Sequence, residues 1–333
     1  MAFWKGTWLH RLPNTPEGIR AVVDRLAGAG FDMLIPCVKQ PSGIADYPSK
    51  LARVHPPFQG IDALKICAEE SNRAGLQVHG WICVFPEGKD SALLAAQPEY
   101  TAQPGPERER GETVHGLACP NRPEVQDYEA GLYQELMDYP ISGVSLDYIR
   151  FVDGTCFCDY CREDFRRQTG GDLHKLGFFQ WNPETAQDMD VWIQWRCEII
   201  NRFVRRIRDM TRRHGKELSA SVFHYHPNGL QDIGQDWEHW VRAGLVDYIW
   251  PMNYSCSTLI ASKWARNNIA SLAGAAPGCR LHEGIHRPRA MSTDRWIRHV
   301  SAILETGVEG VVIFDYPNLT DSDLKALSKL DGR

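Results

Sequence analysis

A chain of 333 residues that is 43% hydrophobic and 24% charged has enough apolar side chain to bury a large core. Its net charge of −5 arises from interspersed acidic and basic residues, which argues against nucleic acid or a membrane surface as a partner. No run of about 18 apolar residues occurs and no signal-peptide pattern opens the chain, so the expectation is a soluble, cytoplasmic protein.

Hydrophobic periodicity predicts strand and helix in strict alternation. The first strand is "AFWKGTWL" (2–9), followed by the amphipathic "TPEGIRAVVDRLAGAG" (15–30), where Thr15 can cap, Pro16 suits the first turn, and Gly28 and Gly30 stop the helix. "FDMLIPCV" (31–38) and "GIDALKICAEESNRAG" (60–75) form the second unit. "LQVHGWICVF" (76–85) is strand three, and a long charged loop separates it from the helix "RPEVQDYEAGLYQELMD" (122–138). Within that loop the balanced run "ERER" (107–110) reads as solvated. Strand four, "SGVSLDYI" (142–149), precedes a second insertion (about 151–185) and the long helical pattern 186–215. "LSASVFHY" (218–225), "VDYIWPMNY" (246–254), "RLHEGIH" (280–286) and "GVVIFDYP" (310–317) are strands five to eight. "QDWEHWVRAG" (235–244) follows strand five, and further helices begin near Ser257, Thr293 and Asp321.

Continuous apolar strands separated by helices imply a parallel sheet covered on its outer face, and eight such units predict one α/β domain over 1–333. The expected fold is a single (β/α)8 TIM barrel with long loops after strands 3 and 4. The alternative, an open doubly wound sheet, lacks its usual nucleotide site: no G-x-G-x-x-G follows the first strand and no P-loop motif occurs.

In a barrel of this type the chemistry sits at the C-terminal strand ends. Ending or following the strands are His10, Lys39, Trp81, Asp147 with Tyr148 and Arg150, His224 with His226, Asn253 with Tyr254, Glu283 with His286, and Asp315. Alternation puts Ser145 and Asp147 on one face, toward the mouth, which makes Asp147 the first candidate for chemistry. A structural aspartate paired to Arg150 is the competing reading. Two carboxylates among aromatic side chains suit glycoside hydrolysis. Trp81, Tyr148, Trp250 and Tyr254 are candidate stacking surfaces for sugar rings, although most of the 11 tryptophans belong in the core.

Three motifs carry a family resemblance: "CPNRPEVQDY", "YPISGVSLDYIRF" and "VDYIWPMNY". With "CFCDYC" between them, the chain resembles the glycosyl hydrolase-like family ten group, glycosidases on a (β/α)8 barrel. The family pattern falls on Asn121 to Val125, on Asp147 to Arg150 and on Asp247 to Tyr254. The resemblance implies that Asp147 is the strand-four catalytic carboxylate, nucleophile or base, supported by Tyr148 and Arg150. Related amylase-like barrels carry a glutamate at the end of strand five, where this chain has "SVFHYHPN" with His224 and His226. The partner acid is therefore open. Glu283, beside His282 and His286, is the first choice, followed by Asp236 and Asp315. A partner about 5 to 5.5 Å from Asp147 predicts retention of configuration, and one about 6.5 to 9.5 Å away predicts inversion. Lys39, Arg150 and Arg287 near the mouth suggest an acidic sugar. A glycan-binding barrel without catalysis, or a metal-dependent hydrolase on His10, His224 and His226, are the alternatives. No organic cofactor is expected, and the oligomeric state is open.

Ten cysteines are scattered along the chain, and only Cys156-x-Cys158-x2-Cys161 forms a cluster. Three thiolates in six residues are more naturally gathered on a metal than strained into a disulfide. Cys119, in the loop after strand three, is near if strands three and four are neighbours, giving a structural zinc on Cys119, Cys156, Cys158 and Cys161. Reduced loop cysteines or a disulfide remain the alternatives. The spacing is similar to the structural zinc cluster of family forty-two β-galactosidases.

Overall fold

In the computed structural model, residues 3–89, 91–105, 116–152, 154–176 and 183–330 are described. The run 107–110 and parts of both long insertions lie outside them. Eight parallel strands close a ring: β1 (Trp4–Leu9), β2 (Met33–Lys39), β3 (Gln77–Cys83), β4 (Gly143–Asp147), β5 (Glu217–Val222), β6 (Tyr248–Asn253), β7 (Glu283–His286) and β8 (Gly310–Phe314). Closure is explicit in the register, since β1 pairs with β2 through Gly6 and Met33 and with β8 through Trp4 and Gly310. Among the described residues no helix is long and apolar enough to cross a membrane.

The strands read as unbroken apolar runs because both of their faces are covered; all seven residues of β2 and all five of β4 are buried. Outward residues such as Leu34, Val144, Ile249 and Ile313 join the layer under the helices, while Trp8, Met33, Cys37, Trp81, Trp250 and Val312 fill the barrel interior. Trp250 lies fully inside, which removes it from the surfaces open to a sugar. Gly284 must lack a side chain here. A Cβ would stand 2.9 Å from both the Trp8 ring and the Pro251 carbonyl.

The outer helices are α1 (Pro16–Gly28), α2 (Ala63–Ala74), α3 (Pro123–Leu136), α4 (Pro183–Arg213), α5 (Trp237–Arg242), α6 (Thr258–Ser271), α7 (Thr293–Leu304) and α8 (Asp321–Leu330). Side-chain caps place several of their starts. Thr15 Oγ1 accepts the Gly18 N–H at 3.1 Å, and Asp62 accepts that of Lys65 at 3.1 Å. Between β4 and α4 the insertion contains a helix of its own, Asp159–Thr169. It packs on α4 through Asp164, which accepts the Trp195 indole N–H at 3.0 Å and the Asn121 amide at 3.0 Å.

Candidate active site

Asp147 ends β4 with its side chain turned into the barrel mouth, above an apolar floor of Cys37, Cys83, Trp8 and Trp250. It is 7% exposed. Everything polar that faces its carboxylate is a donor or a cation. Oδ1 accepts the Tyr148 backbone N–H at 2.7 Å, Arg150 Nη1 stands 3.6 Å away, and the Trp81 indole N–H contributes a third contact. Burial pushes the Asp147 carboxyl above the ordinary aspartate range, and these donors and the guanidinium pull against it without reversing the shift. Tyr148 has φ 52°, the one positive value outside glycine among the described residues. Left-handed backbone at a tyrosine is strained. It serves to fold the Tyr148 N–H back onto the preceding carboxylate and to bring Arg150 round beside it. The guanidinium is then clamped over the Tyr148 ring at 4.3 Å and the Phe223 ring at 4.7 Å.

Across the mouth, Asp315 follows β8 and is 8% exposed. Its Oδ2 lies 3.1 Å from His10 Nδ1, and its Oδ1 accepts the Asn318 amide at 2.5 Å. Gln40 braces the end of β1 by donating to the His10 carbonyl at 2.6 Å. Burial raises the Tyr254 phenol well above the usual range, and the charges of both Asp147 and Asp315 add to that effect. Phe314 completes the wall, with ring centroids 5.0 Å from His10 and 5.3 Å from Tyr254. His286 stands 6.2 Å from Tyr254, its imidazole lowered by burial against the opposing pull of Asp315. The mouth thus gathers His10, Trp81, Asp147, Tyr148, Arg150, Tyr254, His286 and Asp315.

Several sequence candidates lie elsewhere. Glu283 points outward under α6, fully buried, with both oxygens taken by Asn253 at 2.9 Å and Asn268 at 2.8 Å. It is therefore not the partner acid, and Asn253, which also donates to the Ala261 carbonyl, does not line the mouth. Lys39 faces the helix layer because the β2–β3 register slips between Cys37 and Lys39. Its ammonium is enclosed by Glu87 and by Glu129 at 2.9 Å. Burial opposes that charge, but the carboxylates of Glu129 and Glu87 outweigh it and raise the Lys39 pKa.

Asp236 caps α5 and faces His226, whose Nδ1 lies 3.0 Å from Glu238. Although burial opposes ionisation, the His226 and His239 contacts hold the Asp236 carboxyl below its ordinary range. His224 Nδ1–H donates to the Met252 carbonyl at 3.2 Å, and its ring lies on Trp264 with centroids 3.6 Å apart. Among the described residues, no group of three or more metal-ligating side chains assembles on His10, His224 and His226. Arg287 is paired to buried Asp323 at 2.9 Å. With Lys39 and Arg287 engaged, Arg150 alone is left of the three basic residues that suggested an acidic sugar.

Sequence reasoning missed Phe223, Phe314 and Asn318. The last two carried a signal, since they flank Asp315 at the end of a predicted barrel strand.

The sequence pattern described as glycosyl hydrolase-like 10 matches residues 5–271. The chain belongs to the glycosyl hydrolase-like 10 family. The chain is 22% identical over 283 residues to the glycosyl hydrolase DigH of Escherichia coli (strain K12), a match that covers 73% of this chain and 60% of that relative. Among solved structures, the PgaB (BpsB) glycoside hydrolase domain from Bordetella bronchiseptica superposes with a TM-score of 0.76 at 14% identity, over 98% of each chain. The β-amylase catalytic domain from Paenibacillus polymyxa gives 0.67 at 12% identity, over 98% of this chain and 97% of that one. At such identities the superpositions establish the barrel fold, and the family match points to glycoside hydrolase-type chemistry.

Glu283 also supplies a stability test separate from catalysis. Burial raises its pKa from 4.5 to about 7, against the two asparagine amides. The folded state then keeps a proton that the unfolded chain has lost, so stability falls as pH rises from about 4.5 to about 7. This contribution is about 3 kcal/mol. Glu283→Gln is expected to remove that decline, seen by urea unfolding at pH 5 and pH 8, and to keep wild-type turnover.

Proposed function

We propose that this glycosyl hydrolase-like 10 protein cleaves a glycosidic bond in an oligo- or polysaccharide or glycoconjugate at the C-terminal mouth of its barrel. The observation that carries the reading is the surroundings of Asp147: a buried carboxylate at the end of β4 that meets only donors and a cation. Those donors and the guanidinium offset part of the cost that burial places on the ionised form, the state a nucleophile or base requires. The Asp315–His10 pair, across the mouth from it, is the group that gives a proton to the leaving oxygen, which departs as an alcohol. Tyr148, Tyr254 and His286 supply faces and polar edges on which a sugar ring can rest.

The test is incubation of the protein with a panel of aryl glycosides, oligosaccharides and polysaccharides, with reducing ends and released aglycone measured. Hydrolysis by the wild type and its loss in Asp147→Asn is the expected result. Calorimetric binding of a glycan with no cleavage across the panel would instead favour a barrel that holds carbohydrate without reacting with it.

A further inference from the structure

One side-chain cluster outside the mouth has no part in the proposed chemistry. Cys119, from the loop after β3, meets Cys156, Cys158 and Cys161, from the loop after β4. All four are buried free thiols, and their sulfurs lie within 4.8 Å of one another. Cys119 Sγ is 3.4 Å from Cys161 Sγ and 3.7 Å from Cys158 Sγ. A tetrahedral zinc with Zn–S bonds of about 2.3 Å sets neighbouring sulfurs about 3.8 Å apart, whereas a disulfide needs about 2.05 Å. The cluster therefore has the dimensions of a metal site rather than of a crosslink. We propose that Cys119, Cys156, Cys158 and Cys161 hold one zinc ion in a closed tetrathiolate site that fixes the loops after β3 and β4 to each other.

The surroundings suit a thiolate-bound dication. The Gln103 backbone N–H points at Cys156 Sγ from 3.3 Å. Cys158 occupies the N-cap position of the helix Asp159–Thr169, so the sulfurs gather at the positive N-terminal end of that helix. Arg122, three residues past Cys119, places its guanidinium over the rings of Tyr100 at 5.0 Å and Tyr160 at 5.2 Å. Soft thiolate ligands select zinc over hard cations. Four protein ligands leave no position for water, so the ion is structural.

The same site bears on the wall beside Asp147. The loops meet through the Phe157 N–H on the Gln103 carbonyl at 2.9 Å and the Gly105 N–H on the Gly154 carbonyl at 3.0 Å. Between Asp147 and the cluster runs the segment carrying Tyr148 and Arg150. It is held on its other side where the Phe151 N–H meets the Ile233 carbonyl at 2.9 Å. Without the ion, one of its two anchors is gone.

The proposal goes beyond the glycosidase reading and stands or falls independently of it. The protein, purified in reducing buffer and dialysed against EDTA, is assayed for metal by mass spectrometry of the elements. About one zinc per chain is expected, released when a mercurial titrates the thiols. Cys156→Ser should lose most of the zinc, and Cys256→Ser, at an exposed cysteine, should keep it. Should Cys156→Ser fail to fold, growth of the unmodified protein in cobalt gives the second readout, the visible absorption of tetrahedral cobalt thiolate. Hydrogen exchange should rise first in 116–119 and 154–161 on metal removal. Folded, reduced protein with four titratable thiols and no zinc after exposure to it overturns the proposal. So does a protein mass showing a disulfide among the four, or iron in place of zinc.

Discussion

Replacing Asp147 by asparagine is expected to lower kcat by at least about 10³-fold while leaving the melting temperature unchanged or higher. In the proposed reaction the carboxylate is the group that reacts, and the amide keeps its shape but not its charge. The stability half of the expectation follows from burial. Asp147 has its pKa raised above the ordinary 3.8 by desolvation. The folded chain therefore holds this proton at pH values where the unfolded chain has released it, and ionising the site at neutral pH costs stability. That cost is absent below the unfolded pKa and complete above the folded one. Asparagine never incurs it. The same shift dictates the pH profile: kcat/KM of the wild type should climb through an acidic limb lying above pH 3.8, as Asp147 loses its proton. Equal activity in wild type and variant would end the assignment of chemistry to this residue, and a large drop in melting temperature would reassign it to structure.

The barrel was legible because its physics is repetitive. Parallel strands covered on both faces must be apolar throughout, and helices between them must be amphipathic, so eight alternations could be counted without reference to any contact. Asp147 was legible for a similar reason. Ser145 and Asp147 share a face, and the uninterrupted strand β4 carries that parity to its end. Parity gave no guide where the strand was irregular or its phase was unknown. The register slip after Cys37 turns Lys39 from the mouth to the helices. For Glu283 the phase is set by Gly284, which must face the Trp8 ring; Glu283 and Ile285 then point outward. Asn253 shares that outward face, paired in register with Ile285.

Residues beyond the strand ends were harder still, since no period governs a loop. The His226 contact with Glu238, and the cap that Asp236 forms on α5, depend on how the chain turns after β5. The cysteine cluster was an exception. Three members are local in sequence, and Cys119 could be placed because loops after adjacent barrel strands emerge at one end.

Asp315→Asn is expected to lower kcat/KM by about 10² to 10⁴-fold for substrates with a basic leaving oxygen and by far less for aryl glycosides. Of the carboxylates proposed as partner to Asp147, Asp315 alone faces the mouth, since Glu283 is bonded under α6 and Asp236 caps α5. Its Oδ2 lies 3.1 Å from His10 Nδ1, so the pair is placed to hold between them the proton that the proposed reaction donates. A leaving alkoxide needs that proton in the transition state, whereas a nitrophenolate departs without it. A plot of log kcat/KM against leaving-group pKa should accordingly be steeper for Asp315→Asn than for the wild type. His10→Asn should fall between them, because it removes one partner of the pair and leaves the carboxyl. A loss of equal size across all leaving groups would mean that Asp315 positions the substrate, and the proton would then have to come from another group at the mouth.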